Sequence, residues 1–105
     1  MIPISRLKAE LSSNGFENEL YAVYVSPAAV TTQRQRLTAL LDSFASLFGA
    51  QREVELFSAP GRTEVGGNHT DHNHGRVLAA GINLDAVAAV SRTSDNRVRV
   101  QSEGF

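Results

Sequence analysis

Cysteine is absent from this 105-residue chain. The absence excludes disulfide staples and thiolate metal ligands, and it fits a reducing interior. An excess of one charge is missing too. Ten Lys and Arg stand against eleven Asp and Glu, for a net charge of −1. A chain so balanced offers no electrostatic footprint for nucleic acid and no acidic solvating tail. No apolar run approaches the ~20 residues that a bilayer crossing needs. The opening MIPISRLKAEL lacks the apolar stretch of a signal peptide. These absences predict a cytoplasmic, soluble protein with no nucleic-acid partner and no membrane partner. Repeats, low-complexity tracts and a dividing linker are also missing. What is present is an ordinary composition, 42% hydrophobic and 20% charged, at a length that suits one domain at most.

The first half reads as helical. Ile4, Leu7 and Leu11 recur at helical spacing, and Asn14-Gly15 stops the pattern. Phe16, Leu20 and Tyr21 predict a second short helix. The run YAVYVSPAAV, broken by Pro27, reads as an irregular connection. Thr32 and Gln35 then have the spacing of a capping box. Leu37, Leu40, Leu41, Phe44, Leu47 and Phe48 form one apolar stripe closed by Gly49, which predicts a helix over 33–48. Arg34 and Arg36 fall on its exposed face.

The second half reads as strands around a polar loop. Val54, Leu56 and Ser58 alternate with Glu55 and Phe57, giving a strand that enters a Pro60-Gly61 turn. An extended piece over 77–80 and a strand over 82–92, apolar on both faces, come after the loop. Asp95-Asn96 suits a hairpin turn into a last strand over 97–102, with Arg97 and Arg99 facing out. The expectation is an α+β chain forming one partial domain over 1–105. Residues 1–50 are mainly helical, and 51–105 hold a mixed or antiparallel sheet and the loop.

Between Pro60 and Arg76 the hydrophobic periodicity vanishes. Glycines, histidines, asparagines, an aspartate, a glutamate and an arginine take its place, types suited to hydrogen bonding at close quarters. Asn68, His69, Asp71 and Asn73 can grip the hydroxyls of a polyol. Gly66 and Gly67 let backbone approach closely or take positive φ. Arg62 can stabilise negative charge developing on an oxygen. The set suits phosphoryl transfer to a sugar without being unique to it. A metal reading also exists, because His69, His72 and His74 flank Asp71. The metallo-hydrolase pattern would need a further histidine where Gly67 stands, so no metal ligand is assigned, and His72 and His74 read as loop residues shaping the pocket.

The order of these residues is more specific than their types. Ala59-Pro60-Gly61-Arg62, then Gly67, then His69-Thr70-Asp71, then Asn73 and Gly75 resemble, without a gap, the A-P-G-R-V-N-L-I-G-E-H-T-D-Y-N-x-G signature of galactokinases, members of the GHMP sugar kinase family. Val77-Leu78 and Ile82-Asn83-Leu84 resemble the family's V-L-P-x-A-I-N-L continuation. The resemblance implies the opening part of a kinase N-terminal domain. It also implies transfer of the ATP γ-phosphoryl group, with Mg2+, to the 1-hydroxyl of galactose or a related sugar. By position, Arg62 would assist catalysis, and Asn68, His69 and Asp71 would contact the sugar, with Gly67 at the close approach. Asn68 departs from the family's glutamate, Glu64 and Gly66 from its asparagine and isoleucine, and His72 from its tyrosine.

The family's glycine- and serine-rich phosphate loop and its later catalytic aspartate have no counterpart among these 105 residues. The expectation is therefore a fragment or truncated product of a longer kinase, binding no ATP or Mg2+ and turning over no ATP by itself. The alternatives are a non-catalytic sugar-binding or regulatory relative and, behind it, a metal-dependent hydrolase. Apolar strand surface is expected to lie exposed and prone to self-association.

Overall fold

The computed structural model describes residues 1–67 and 73–104. In chain order the elements are β1 (Ile2–Pro3), α1 (Ile4–Ser12), α2 (Glu17–Tyr24), α3 (Pro27–Phe48), β2 (Glu53–Gly66) and β3 (Leu78–Val90). The strands form a three-stranded antiparallel sheet in the order β1-β2-β3, so the architecture is α+β, consistent with the start of a galactokinase N-terminal domain. The chain divides into two compact units, Met1–Glu55 with Ala89–Phe105, and Leu56–Ala88.

The first unit is built on α3. Helices α1 and α2 both pack against it. The α1 residues Ile4, Leu7 and Leu11 are buried, as are Leu20 of α2 and Val30, Leu37 and Leu41 of α3. Their spacing of three and four puts each set on one helix face, which is why these segments are helical here. Burying each such side chain contributes about 1.5–3 kcal/mol. The α3 stripe fades toward its end, where Leu47 is exposed and the rings of Phe44 and Phe48 pack at 5.0 Å. β1 closes the unit, pairing Ile2 with Val54 and Pro3 with Glu53.

Four local expectations need correction in this unit. Helix α3 begins at Pro27, not near Gln33: Ser26 caps it by accepting from the Ala29 amide at 3.2 Å, and Pro27 occupies the first turn. Proline is preorganised for that position and gives up a donor with no helical partner. The residues between Tyr21 and Pro27 are mostly α2 rather than an irregular connection. Thr32 is no cap, because its hydroxyl donates back to the Ala28 carbonyl inside the helix. Arg34 is part-buried rather than on an exposed face. Its Nη1 donates to the carbonyls of Leu11 and Ser13 at 3.3 and 3.0 Å, where the end of α1 leaves acceptors unmatched.

Residues 97–102 form no strand. The Asp95 carboxylate instead accepts from the Arg97 amide and, through both oxygens, from the Arg99 guanidinium. A side chain that bonds local backbone in this way competes with a sheet ladder. Val98 and Val100 are left 89% and 83% exposed, so they do not face into a core.

The second unit is a long hairpin made of most of β2 and β3. The partners advance along β2 as they retreat along β3: Ser58 Oγ donates to Asp85 Oδ2 at 2.5 Å, Gly61 lies against Ile82, and Gly67 against Arg76 and Val77. Pro60-Gly61 is not a turn, since β2 runs on to Gly66. Beyond Val54, among the described residues, β2 has a neighbour on the β3 side only, and such an edge is where a sheet accepts proline. The two extended pieces expected over 77–92 are one strand, β3, which ends at Val90.

Candidate functional site

Alternation along a strand decides what Arg62 can share a surface with. The Ser58–Asp85 bond and the contact of Gly61 with Ile82 place even-numbered residues of β2 on the same face as odd-numbered residues of β3. Arg62 therefore shares its face with Ser58 and Glu64 on its own strand and with Asn83 and Asp85 on the next. Gly81 and Ala79 fill the positions between with little bulk. Phe57, Val65, Leu78, Ile82 and Leu84 make up the opposite face, and all are exposed. The Arg62 face carries the hairpin's charged side chains, and the other carries most of its large apolar ones.

Arg62 stands four residues before the end of β2, on regular strand backbone with a solvent-exposed side chain. A long cation held at its base by a paired strand suits contact with an anionic or electron-rich oxygen. Gly61 next to it permits the close approach of the strands: a Cβ there would sit 3.1 Å from the Ile82 side chain and from the Leu84 carbonyl oxygen.

Gly67 is where β2 gives way to the loop. Its φ is +106°, and a Cβ would come within 2.5 Å of the Arg76 carbonyl oxygen and 2.6 Å of Val77 Cα. Glycine is needed there because the returning chain occupies the space, a reason independent of any ligand. The expected sugar contacts Asn68, His69 and Asp71, together with Thr70 and His72, lie outside the described residues. His74, on the return, has φ 60° and is exposed. The metal reading of the histidines also rests in part on residues outside the described set.

Sequence reasoning missed the polar row Ser58–Asn83–Asp85. Asp85 sits in an otherwise apolar run, and the signal was its fixed parity with Asn83, two residues apart on one face.

Comparison with known proteins gives this site its class. Residues 42–92 match the galactokinase galactose-binding signature, and they contain β2, the loop and β3. The matched segment thus resembles the galactose-binding stretch of sugar kinases. A galactokinase of Lactococcus lactis subsp. cremoris is 41% identical over 69 residues, which is 66% of this chain and 17% of that protein. Galactokinases of Bacillus subtilis and Staphylococcus carnosus are 40% and 41% identical over 62 and 69 residues, covering 16% and 18% of their lengths. No solved structure matches significantly. The chain is related to the N-terminal portion of galactokinases, and the matched stretch spans about a sixth of the curated relatives.

Proposed function

We propose that this segment is one wall of the sugar site in a galactokinase-type enzyme, which phosphorylates the 1-hydroxyl of galactose or a close relative. The observation that carries the reading is the galactose-binding signature itself, laid on a hairpin that holds Arg62 on its polar face. In this reading Asp71, His69 and Asn68 take hydrogen bonds to and from sugar hydroxyls, and Gly67 keeps its place at the close approach to the sugar. Arg62 stabilises negative charge that grows on the attacking oxygen. An amide at Asn68, where the family has a carboxylate, both donates and accepts, so it can serve a hydroxyl of either polarity.

In the same reading, ATP and Mg2+ are not held by this segment alone. Beside Gly67 the space is taken by the Arg76 carbonyl, which supports that reading. The Ala29 amide at the start of α3 is already bonded to Ser26. We assign nucleotide and metal to parts of the enzyme beyond this segment, and no step involving them is derived.

A chimera tests the reading: this chain replaces the corresponding stretch of the Lactococcus lactis galactokinase. The chimera should phosphorylate galactose. Asp71→Ala should lower kcat/KM for galactose about 10–100-fold, as loss of a hydrogen bond to a charged group of ~1.5–3 kcal/mol implies, with the KM for ATP unchanged. Full activity in Asp71→Ala would overturn the residue assignment. A chimera that binds galactose but does not turn over would favour the non-catalytic sugar-binding relative.

A further inference from the structure

Asn14 and Gly15 form the one Asn-Gly pair in the sequence, in the turn that ends α1. The fold needs glycine at the second of these positions. A Cβ on Gly15 would collide with the Glu10 carboxylate and lie 2.8 Å from both the Cβ and the carbonyl oxygen of Glu10. With no side chain to shield it, the Gly15 amide nitrogen is well able to reach the Asn14 Cγ one residue back. Two hydrogen bonds fix the peptides on either side of Asn14. The Gly15 N–H donates to the Glu10 carbonyl at 3.1 Å, and Arg34 Nη1, on α3, donates to the Ser13 carbonyl at 3.0 Å.

We infer that Asn14 is a site of spontaneous succinimide formation, which these two bonds hold shut in the folded chain. In the opened turn the Gly15 nitrogen gives its proton to water and attacks Asn14 Cγ. The N–Cγ bond forms, the Cγ–Nδ2 bond breaks, and Nδ2 takes up a proton and leaves as ammonia. Water then adds to either imide carbonyl and opens the ring, leaving aspartate or isoaspartate at position 14. In the closed turn the same N–H is committed to Glu10, so the nitrogen keeps its proton and cannot swing toward Cγ. Neither product restores the turn. Aspartate sets a negative charge beside the carbonyl end of α1, where the helix dipole disfavours it. Isoaspartate lengthens the main chain by one methylene and carries Gly15 away from Glu10. The site therefore keeps a one-way chemical record of each opening of the α1–α3 junction.

The test incubates the chain in warm, mildly alkaline buffer, folded and in urea. Peptide mass spectrometry follows the conversion of the Asn14 amide to an acid. Conversion should be about 10-fold or more slower in the folded chain than in urea, because attack must wait for local opening. Arg34→Lys keeps a positive charge near the end of α1 but loses the fork that reaches the Leu11 and Ser13 carbonyls together. In that folded variant, conversion should run about 2–10-fold faster than in the unsubstituted chain. If circular dichroism shows the variant unfolded, the ratio between folded and urea rates in the unsubstituted chain decides alone. Equal rates with and without urea, or an unchanged rate in folded Arg34→Lys, overturn the inference.

Discussion

The helical unit and the hairpin unit are ordered by different forces. All eight buried apolar side chains of the core, from Ile4 to Val54, belong to the helical unit, and none of the described residues of Leu56–Ala88 is among them. The helices are held by side-chain burial on α3. The hairpin is held by its backbone ladder and by local bonds such as Ser58–Asp85. The proposed recognition chemistry thus sits on the part with the least core, which suits a surface that accepts a ligand. Conserving volume matters in the first unit, and conserving backbone conformation matters in the second.

The largest expected effect breaks the first unit. Leu41 is fully buried, with no measurable exposure. Leu41→Ala should cost about 2–5 kcal/mol, a large share of the ~5–15 kcal/mol typical of a domain. Urea unfolding followed by circular dichroism measures it. A change below 1 kcal/mol, taken as the order of a surface substitution, would show that α3 is not the organising element. The exposed Lys8–Asp42 ion pair should contribute far less, since both side chains remain about half in solvent.

A substitution at Gly67 sharpens the contrast. Gly67→Ala adds a Cβ into the Arg76 carbonyl at a φ of +106°, a conformation that costs about 1–3 kcal/mol for other residues. The damage should stay local. Amide hydrogen exchange should speed up in β2 and β3 while α1 and α3 keep their protection. Equal loss of protection in both units would mean that they unfold as one.

What was legible in the sequence follows the same division. The spacing of Ile4, Leu7 and Leu11, and of Leu37 and Leu41, revealed the helices because burial writes a period into the sequence. The start of α3 was hidden, since Ala28 to Gln33 carries few large apolar residues and Thr32 and Gln35 imitate a cap. The Ser26-Pro27 pair was the true signal. In the hairpin, Pro60-Gly61 has turn composition, yet the strand passes through it, because whether proline is tolerated depends on which edge has a neighbour. That is tertiary information. The site's residue order was legible as a family signature, but the polar face joining Arg62 to Asn83 and Asp85 needed the register of two strands distant in sequence.

The smallest expected effect concerns the segment after β3, where a side chain has replaced a ladder. The Arg99 guanidinium, bonded to Asp95 at 2.8 Å, holds the Asp95 carboxyl below its ordinary value, helped by the Arg97 amide and the Thr93 hydroxyl. A carboxyl whose pKa is depressed on folding contributes stability that is fully present above the unfolded value of about 3.9 and is lost as pH falls through the lower folded value. Only the acid limb of the stability curve should respond, and weakly, because the group is exposed and screened. Arg99→Gln should return the Asp95 titration, followed by carboxyl NMR, toward the ordinary value, with helical stability at neutral pH nearly unchanged. Were residues 97–102 held by a strand ladder instead, Asp95 would titrate alike in both proteins, and the difference between a side-chain-ordered tail and a ladder-ordered hairpin would collapse.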